Sequence, residues 1–322
     1  MIRIDFLLRA GAAAAVLAIL AACVTTAPAG RSDGVGAPAR PAGLSPYRTL
    51  LGGFLAPPAQ PFGLPARPGT GAFVKLMAPT ALALRGNDLL VVDSAAGRVW
   101  RVDLSLNTLS PIAGAPATLA TVVALGPDLS AWVLDSVSRQ VLRFSRDGRL
   151  MQTYRGGAAS PSPVAFALAD GGATLLVADD SLRQWVEFRP AGAFATPIPQ
   201  DDAVRGVDGL AVAGDTVFVL DKSLGVVHVE RRDGRAADRL GEGELKQPVA
   251  IAADRFGRVA VIDAQDRAVK LLAPGRAAWV FDAAALRVQQ IGGIAIDERF
   301  LAVSDRLTGQ VVIHVLGGEG RP

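Results

Sequence analysis

The chain has 322 residues, half of them apolar but only 6% aromatic, and a formal net charge of +3. That length suits one large β domain or two ordinary domains, and the wealth of Ala and Gly points to a core of small and branched aliphatic side chains. Lys and Arg exceed Asp and Glu too slightly to support nucleic-acid binding, which needs a basic patch rather than a small surplus.

In chain order, residues 1–22 read as an export signal, with Arg3 and Arg9 forming a positive start and residues 10–22 an uncharged apolar run. As a helix that run covers about 20 Å, short of the roughly 30 Å hydrocarbon core of a bilayer, so a permanent span is not expected. It ends in Leu20-Ala21-Ala22-Cys23, which resembles the bacterial lipobox. The resemblance implies cleavage before Cys23 and acylation of its thiol, palmitate included. Each buried acyl CH₂ contributes ~0.8 kcal/mol, so the two or more chains of a lipoprotein make a stable anchor. Val24 stands where an Asp would favour inner-membrane retention, so the same resemblance implies an outer-membrane anchor facing the periplasm. Cys23 is the only cysteine, and no disulfide or thiol redox chemistry is expected.

Residues 23–46 are rich in Pro, Gly, Ala, Ser and Thr and bury too little apolar surface to offset their ordering entropy, as expected of a flexible tether. A second Pro/Gly-rich stretch, residues 56–69, reads as a long surface loop.

From residue 47 to residue 317 one pattern recurs six times: a β-rich run ending in Asp, a loop, and another β-rich run. The Asp residues are Asp93, Asp135, Asp179, Asp221, Asp263 and Asp305, spaced by 42 or 44 residues. Six residues after each stands Val99, Val141, Trp185, Val227, Val269 or Val311. An apolar run and a turn precede each Asp, as in Ala81-Leu82-Ala83-Leu84 before Arg85-Gly86-Asn87-Asp88. Four strands in about 42 residues is the length of one propeller blade, and the alternation excludes a helical solenoid. The expected fold is all-β, a six-bladed β-propeller, with residues 318–322 a short tail.

The sixth unit lacks an outer strand, while an unmatched β-run, residues 47–52, precedes the first. Its pairing with the last blade would join the two ends of the domain and remove an open sheet edge. The pattern of strand, Asp, loop and Val resembles the NHL-repeat family of six-bladed propellers over about 270 residues. That family's loops carry Asn and Arg after the Asp. Here only Arg98, directly before Val99, keeps the Arg spacing, and no loop has the Asn.

The six Asp residues are expected to cap their loops by accepting backbone N–H bonds, since blade-related positions lie too far apart to share a metal. The same loops carry Arg98, Arg139, Arg183, Lys222, Arg267 and Arg306, one basic residue each, with Asp180 and Asp266 as partial offsets. A ring of cations on one face would concentrate anions, with an envelope protein surface, an acidic glycan or a phospholipid headgroup as candidate partners; solvated loop charges are the plainer alternative. His228 and His314 sit on third strands of different units and do not form a zinc set, which needs three or four converging ligands. No phosphate loop and no Gly-x-Ser-x-Gly elbow is present. The expectation is therefore a binding or scaffolding module without cofactor, metal or catalytic residues. The enzymatic alternative is a calcium-dependent lactonase or esterase of propeller type, for which Asp208 and Gln290 are the polar candidates near inner strands.

Overall fold

The computed structural model describes residues 41–56, 71–188, 196–198 and 203–318. The export signal, Cys23, the tether as far as residue 40, nearly all of the 56–69 loop and residues 319–322 lie outside the described residues.

The second strand of each blade explains why six sheets form. These strands are Asp88–Asp93, Ala131–Asp135, Thr174–Asp179, Thr216–Asp221, Val259–Asp263 and Phe300–Asp305. Each is apolar almost throughout, as suits a strand covered on both faces. In the first, Leu89 and Val91 pack toward blade six while Leu90 and Val92 pack toward blade two. Full burial of such a side chain is worth about 1.5–3 kcal/mol. The same alternation repeats around the molecule. Six apolar clusters each join one pair of neighbouring blades, and together they close a ring. The core therefore lies between the blades and not on the axis.

Blades two to five are four-stranded antiparallel sheets read outward in sequence order. Their inner strands are Val122–Leu125, Pro163–Ala169, Gly209–Ala213 and Pro248–Ala253. Pro79, Pro163 and Pro248 open the inner strands of blades one, three and five directly opposite the repeat Asp. A first position is where a strand tolerates a residue without an N–H.

Blade six is assembled from both ends of the domain. Ile291–Ile296, Phe300–Asp305 and Gln310–Gly318 supply three strands, and Pro41–Leu50 adds the outermost. The register runs from Pro41 opposite Gly318 to Leu50 opposite Val311. The closing strand thus begins at Pro41 rather than Tyr47. Leu44, from the stretch read as tether, packs on the apolar cluster between blades five and six, and bulges beside Pro41 and Pro46 accommodate the prolines. It also stops at Leu50, so Gly52 is not part of it. Gly52–Leu55 joins blade one, parallel to the outer strand Thr108–Pro111, and Phe73–Lys75 pairs with it. Blade one is consequently a six-stranded sheet. Gly52 and Gly53 permit the approach: a Cβ on Gly52 would lie 2.0 Å from the Val74 carbonyl oxygen, and one on Gly53 would lie 2.4 Å from a Leu109 methyl.

Candidate functional site

Second and third strands meet in loops on the face that also carries the connections between blades. Each repeat Asp sits at the start of such a loop. Asp305 Oδ2 accepts the Gln289 N–H at 2.7 Å, and Oδ1 accepts those of Gln290, Leu307 and Thr308 at 3.2, 3.0 and 3.3 Å. One carboxylate thereby ties the connection entering the inner strand to the loop leaving the second strand. Asp93, Asp221 and Asp263 bind N–H groups on both sides in the same way. Asp179 does so with help from Ser160 and Ser181. All five are fully buried. Asp135 departs from the pattern. It is half-buried and among the described residues bonds only Val137 and Ser138 in its own loop, while Ser136 Oγ donates to the Ala120 carbonyl. Burial alone would raise the pKa of Asp221, Asp263 and Asp305. Their hydrogen bonds outweigh it and hold all three below the usual carboxylate range.

The six basic residues are all exposed. Among the described residues, Arg98, Arg139, Arg183, Arg267 and Arg306 form no salt bridge, and Lys222 Nζ lies 4.0 Å from Asp208. Arg98 stacks over the Trp100 ring at 5.6 Å. Asp266, expected as a partial offset to the ring of cations, instead binds Lys246 at 2.6 Å and the buried Lys270 at 2.5 Å. The cations do not occupy one equivalent position. The fourth residue after each Asp is left-handed in every loop: Gly97, Gly225 and Gly309 in three, but Arg139, Arg183 and Arg267 in the others, with φ between 48° and 54° for the arginines. A non-glycine residue in that region costs roughly 1–2 kcal/mol.

The sequence reading missed the apolar side chains of this face. Val137, Leu182, Leu224 and Leu307 project from the second-to-third-strand loops, Met77 and Leu119 from the connections into inner strands, and Val249 from the start of the inner strand of blade five; all seven are exposed. The signal was present two or three residues after the Asp in four loops. A reading that treats loops as polar passes over it.

The inner strands of all six blades surround an axial cavity of about 990 Å³. Each inner strand pairs on one side only, so its free edge borders this space. The side chains along it are mostly Ala, Val, Leu and Ile. Asp208 lines one mouth, with its Oδ2 accepting the Lys222 N–H at 2.9 Å. Gln290 is not part of the lining. At the other mouth Asp170, Asp254 and Asp297 are engaged by Thr174 and Arg232, by Arg258, and by the N–H groups of Gly86, Arg299 and Phe300. Calcium takes six to eight oxygens. Among the described residues no group of three His, Cys, Asp or Glu converges tightly enough to hold a metal, so these donors do not fit that ion.

His228 and His314 are both buried and do not share a site. His228 Nε2 lies 3.5 Å from Asp221 Oδ2. Lys270 occupies the equivalent place in blade five and donates to Asp263 at 2.8 Å. His314 Nε2 lies 3.1 Å from the Leu286 carbonyl oxygen, and among the described residues its Nδ1 has no hydrogen-bond partner.

No protein-family model and no curated protein sequence matches the chain. Solved structures resemble its fold. A catalytically inactive virginiamycin B lyase from Staphylococcus aureus, solved with quinupristin, is 12% identical, with a TM-score of 0.54 over 77% of this chain and 86% of that one. A gluconolactonase from Xanthomonas campestris is 17% identical, with a TM-score of 0.55 over 84% and 98%. A chain of the nidogen/laminin complex is 19% identical, with a TM-score of 0.55 over 71% and 89%. At these identities the likeness is one of fold.

Proposed function

We propose that the chain is a binding or scaffolding lipoprotein, tethered to the outer membrane through an acylated Cys23 and gripping an envelope partner with the loop face of the propeller. One observation carries this reading. The loop-face cations are exposed, five of the six form no salt bridge among the described residues, and aliphatic side chains stand exposed on the same face. Arg beside exposed apolar residues is the composition of a protein interface. An acidic glycan or an anionic headgroup is the alternative partner for the charges. Support from the fold is general: its structural neighbours include a chain of a protein complex as well as enzymes.

The test uses the full chain expressed in a bacterium. Metabolic labelling with an alkynyl fatty acid should mark the wild type and not Cys23→Ser. In-cell crosslinking should yield discrete adducts that disappear when Arg98, Arg139, Arg183, Lys222, Arg267 and Arg306 are all changed to Ser. An unlabelled wild type would overturn the anchor, and adducts unaffected by the six changes would overturn the loop face.

A calcium-dependent lactonase or esterase is the second reading; its support is the fold-level likeness to the gluconolactonase, against the acidic donors described above, which form no calcium set among the described residues. It predicts lactone hydrolysis that rises with added calcium and falls in Asp208→Asn. Hydrolysis at the uncatalysed rate in both conditions would remove it.

A further inference from the structure

We infer that the partner-binding part of the loop face is the sector formed by blades two and three, and that it receives a protein segment combining acidic with large apolar side chains. This inference rests on the loop-face reading above and narrows it. The combination of two features singles the sector out.

The first is backbone conformation. Arg139 and Arg183 occupy the left-handed position that glycine fills in three of the other loops, with φ of 54° and 48°. Nothing in the turn requires a side chain there, because Gly97, Gly225 and Gly309 make the same turn without one. Both guanidinium groups are exposed, and among the described residues neither forms a salt bridge that would offset the strain. Strained positions of this kind collect at functional sites. Arg267 is the third such residue, but Asp266, which two lysines bind, directly precedes it.

The second is the company these arginines keep. Leu182 directly precedes Arg183, and Val137 lies two residues before Arg139. Val137 is 81% exposed, Leu182 44% and Leu119, in the connection entering blade two, 74%. The pieces adjoin. Ser136 donates to Ala120, next to Leu119, and Arg139 borders a crevice with Ser160 and Pro163 of blade three. Asp180 is the exposed acid of the sector, against two arginines.

Charge complementarity calls for a partner with carboxylates. The aliphatic groups argue against a polyhydroxylated glycan or a phosphate headgroup, neither of which offers them a dry contact. An acidic and apolar peptide segment satisfies both.

Glycine makes a clean test, since Arg139→Gly/Arg183→Gly removes the side chains while keeping the turn. The immobilised full-length chain is panned against a random dodecapeptide library, and enriched peptides are measured by fluorescence anisotropy. Enriched sequences should pair Asp or Glu with Leu, Ile or Phe. Binding should weaken at least tenfold in the double glycine variant and in Val137→Ser/Leu182→Ser. It should be unchanged in Arg306→Ser, and the glycine variant should melt no lower than the wild type. Acidic peptides that bind through Arg98, Lys222 or Arg306 instead would overturn the sector and leave the loop-face reading intact. Enrichment without acidic or apolar bias, or binding only to vesicles of anionic phospholipid or to an acidic polysaccharide, would overturn the peptide partner. Reversible self-association lost in the glycine variant would replace it with a second copy of the chain.

Discussion

A carboxylate buried among backbone N–H groups contributes in proportion to the donors it would leave behind. Asp305 accepts four N–H bonds from two separate segments, whereas half-buried Asp135 accepts two from its own loop. Leaving a buried donor unsatisfied costs about 1–3 kcal/mol. Asp305→Ala should therefore lose roughly 3–5 kcal/mol in urea unfolding, and Asp135→Ala no more than about 1 kcal/mol, because water reaches its donors. Equal losses at the two sites would show that the caps are interchangeable. The residue scale also holds a pH response. Burial lowers the His314 pKa, its bond to Leu286 opposes this, and Arg287 adds to the lowering. A lowered pKa means that the unfolded chain takes up the proton first, near pH 6.5. The stability due to neutral His314 is complete above that pH and declines as the pH falls toward its folded value, by at most about 1.4 kcal/mol per unit. Asp221, Asp263 and Asp305, with pKa values held low, respond only in more acidic solution. His314→Gln should flatten the loss of stability between pH 7 and 5, read from denaturant midpoints. An unchanged slope would place the response elsewhere.

At the scale of strands, legibility follows repetition. The Asp spacing and the second strands were readable because one physical demand recurs: a strand buried on both faces in every blade, ending in a carboxylate that in five of the six joins two loops. Features that occur once were not. Gly52–Leu55 and Phe73–Lys75 extend blade one only, on either side of a Pro/Gly-rich stretch with no periodicity. The left-handed arginines were hidden for a related reason: Gly predicts that conformation and Arg does not. The closing strand was recognised by its pattern from Tyr47, but its first residues, including Leu44, lie among prolines and glycines that read as tether. They hold part of the seam. A secreted form beginning at residue 40 keeps the pairs from Pro41–Gly318 to Pro46–His314, and one beginning at residue 47 loses them together with the packing of Leu44. The longer form should be more stable by about 2–3 kcal/mol, from one apolar side chain and a few ladder bonds. Coincident unfolding curves would mean that the register before Tyr47 adds nothing.

On the scale of the whole molecule, the ring makes each blade's stability depend on two neighbours. An open stack of six blades has five interfaces, and closure adds a sixth through blades six and one. That seam is tightly built. Ser304 Oγ donates to the Pro79 carbonyl at 2.9 Å and receives the Gly293 N–H at 2.8 Å. Gly293 lies so close to blade one that a Cβ there would sit 2.6 Å from the Thr80 carbonyl oxygen, a backbone atom with little room to move. Gly293→Ala must push the two inner strands apart, at a cost of about 1–3 kcal/mol or more for an overpacked core position. Because the strain falls on closure and not on any one sheet, the remaining five interfaces should persist as an open, stack-like array. The wild type should unfold in one calorimetric transition. The variant should melt lower and more broadly, with hydrogen-exchange protection lost first in Ile291–Ile296 and Pro79–Arg85 and retained longest in blades three and four, farthest from the break. Uniform loss of protection around the ring would instead mean that the blades unfold as one unit whether or not the seam is sound.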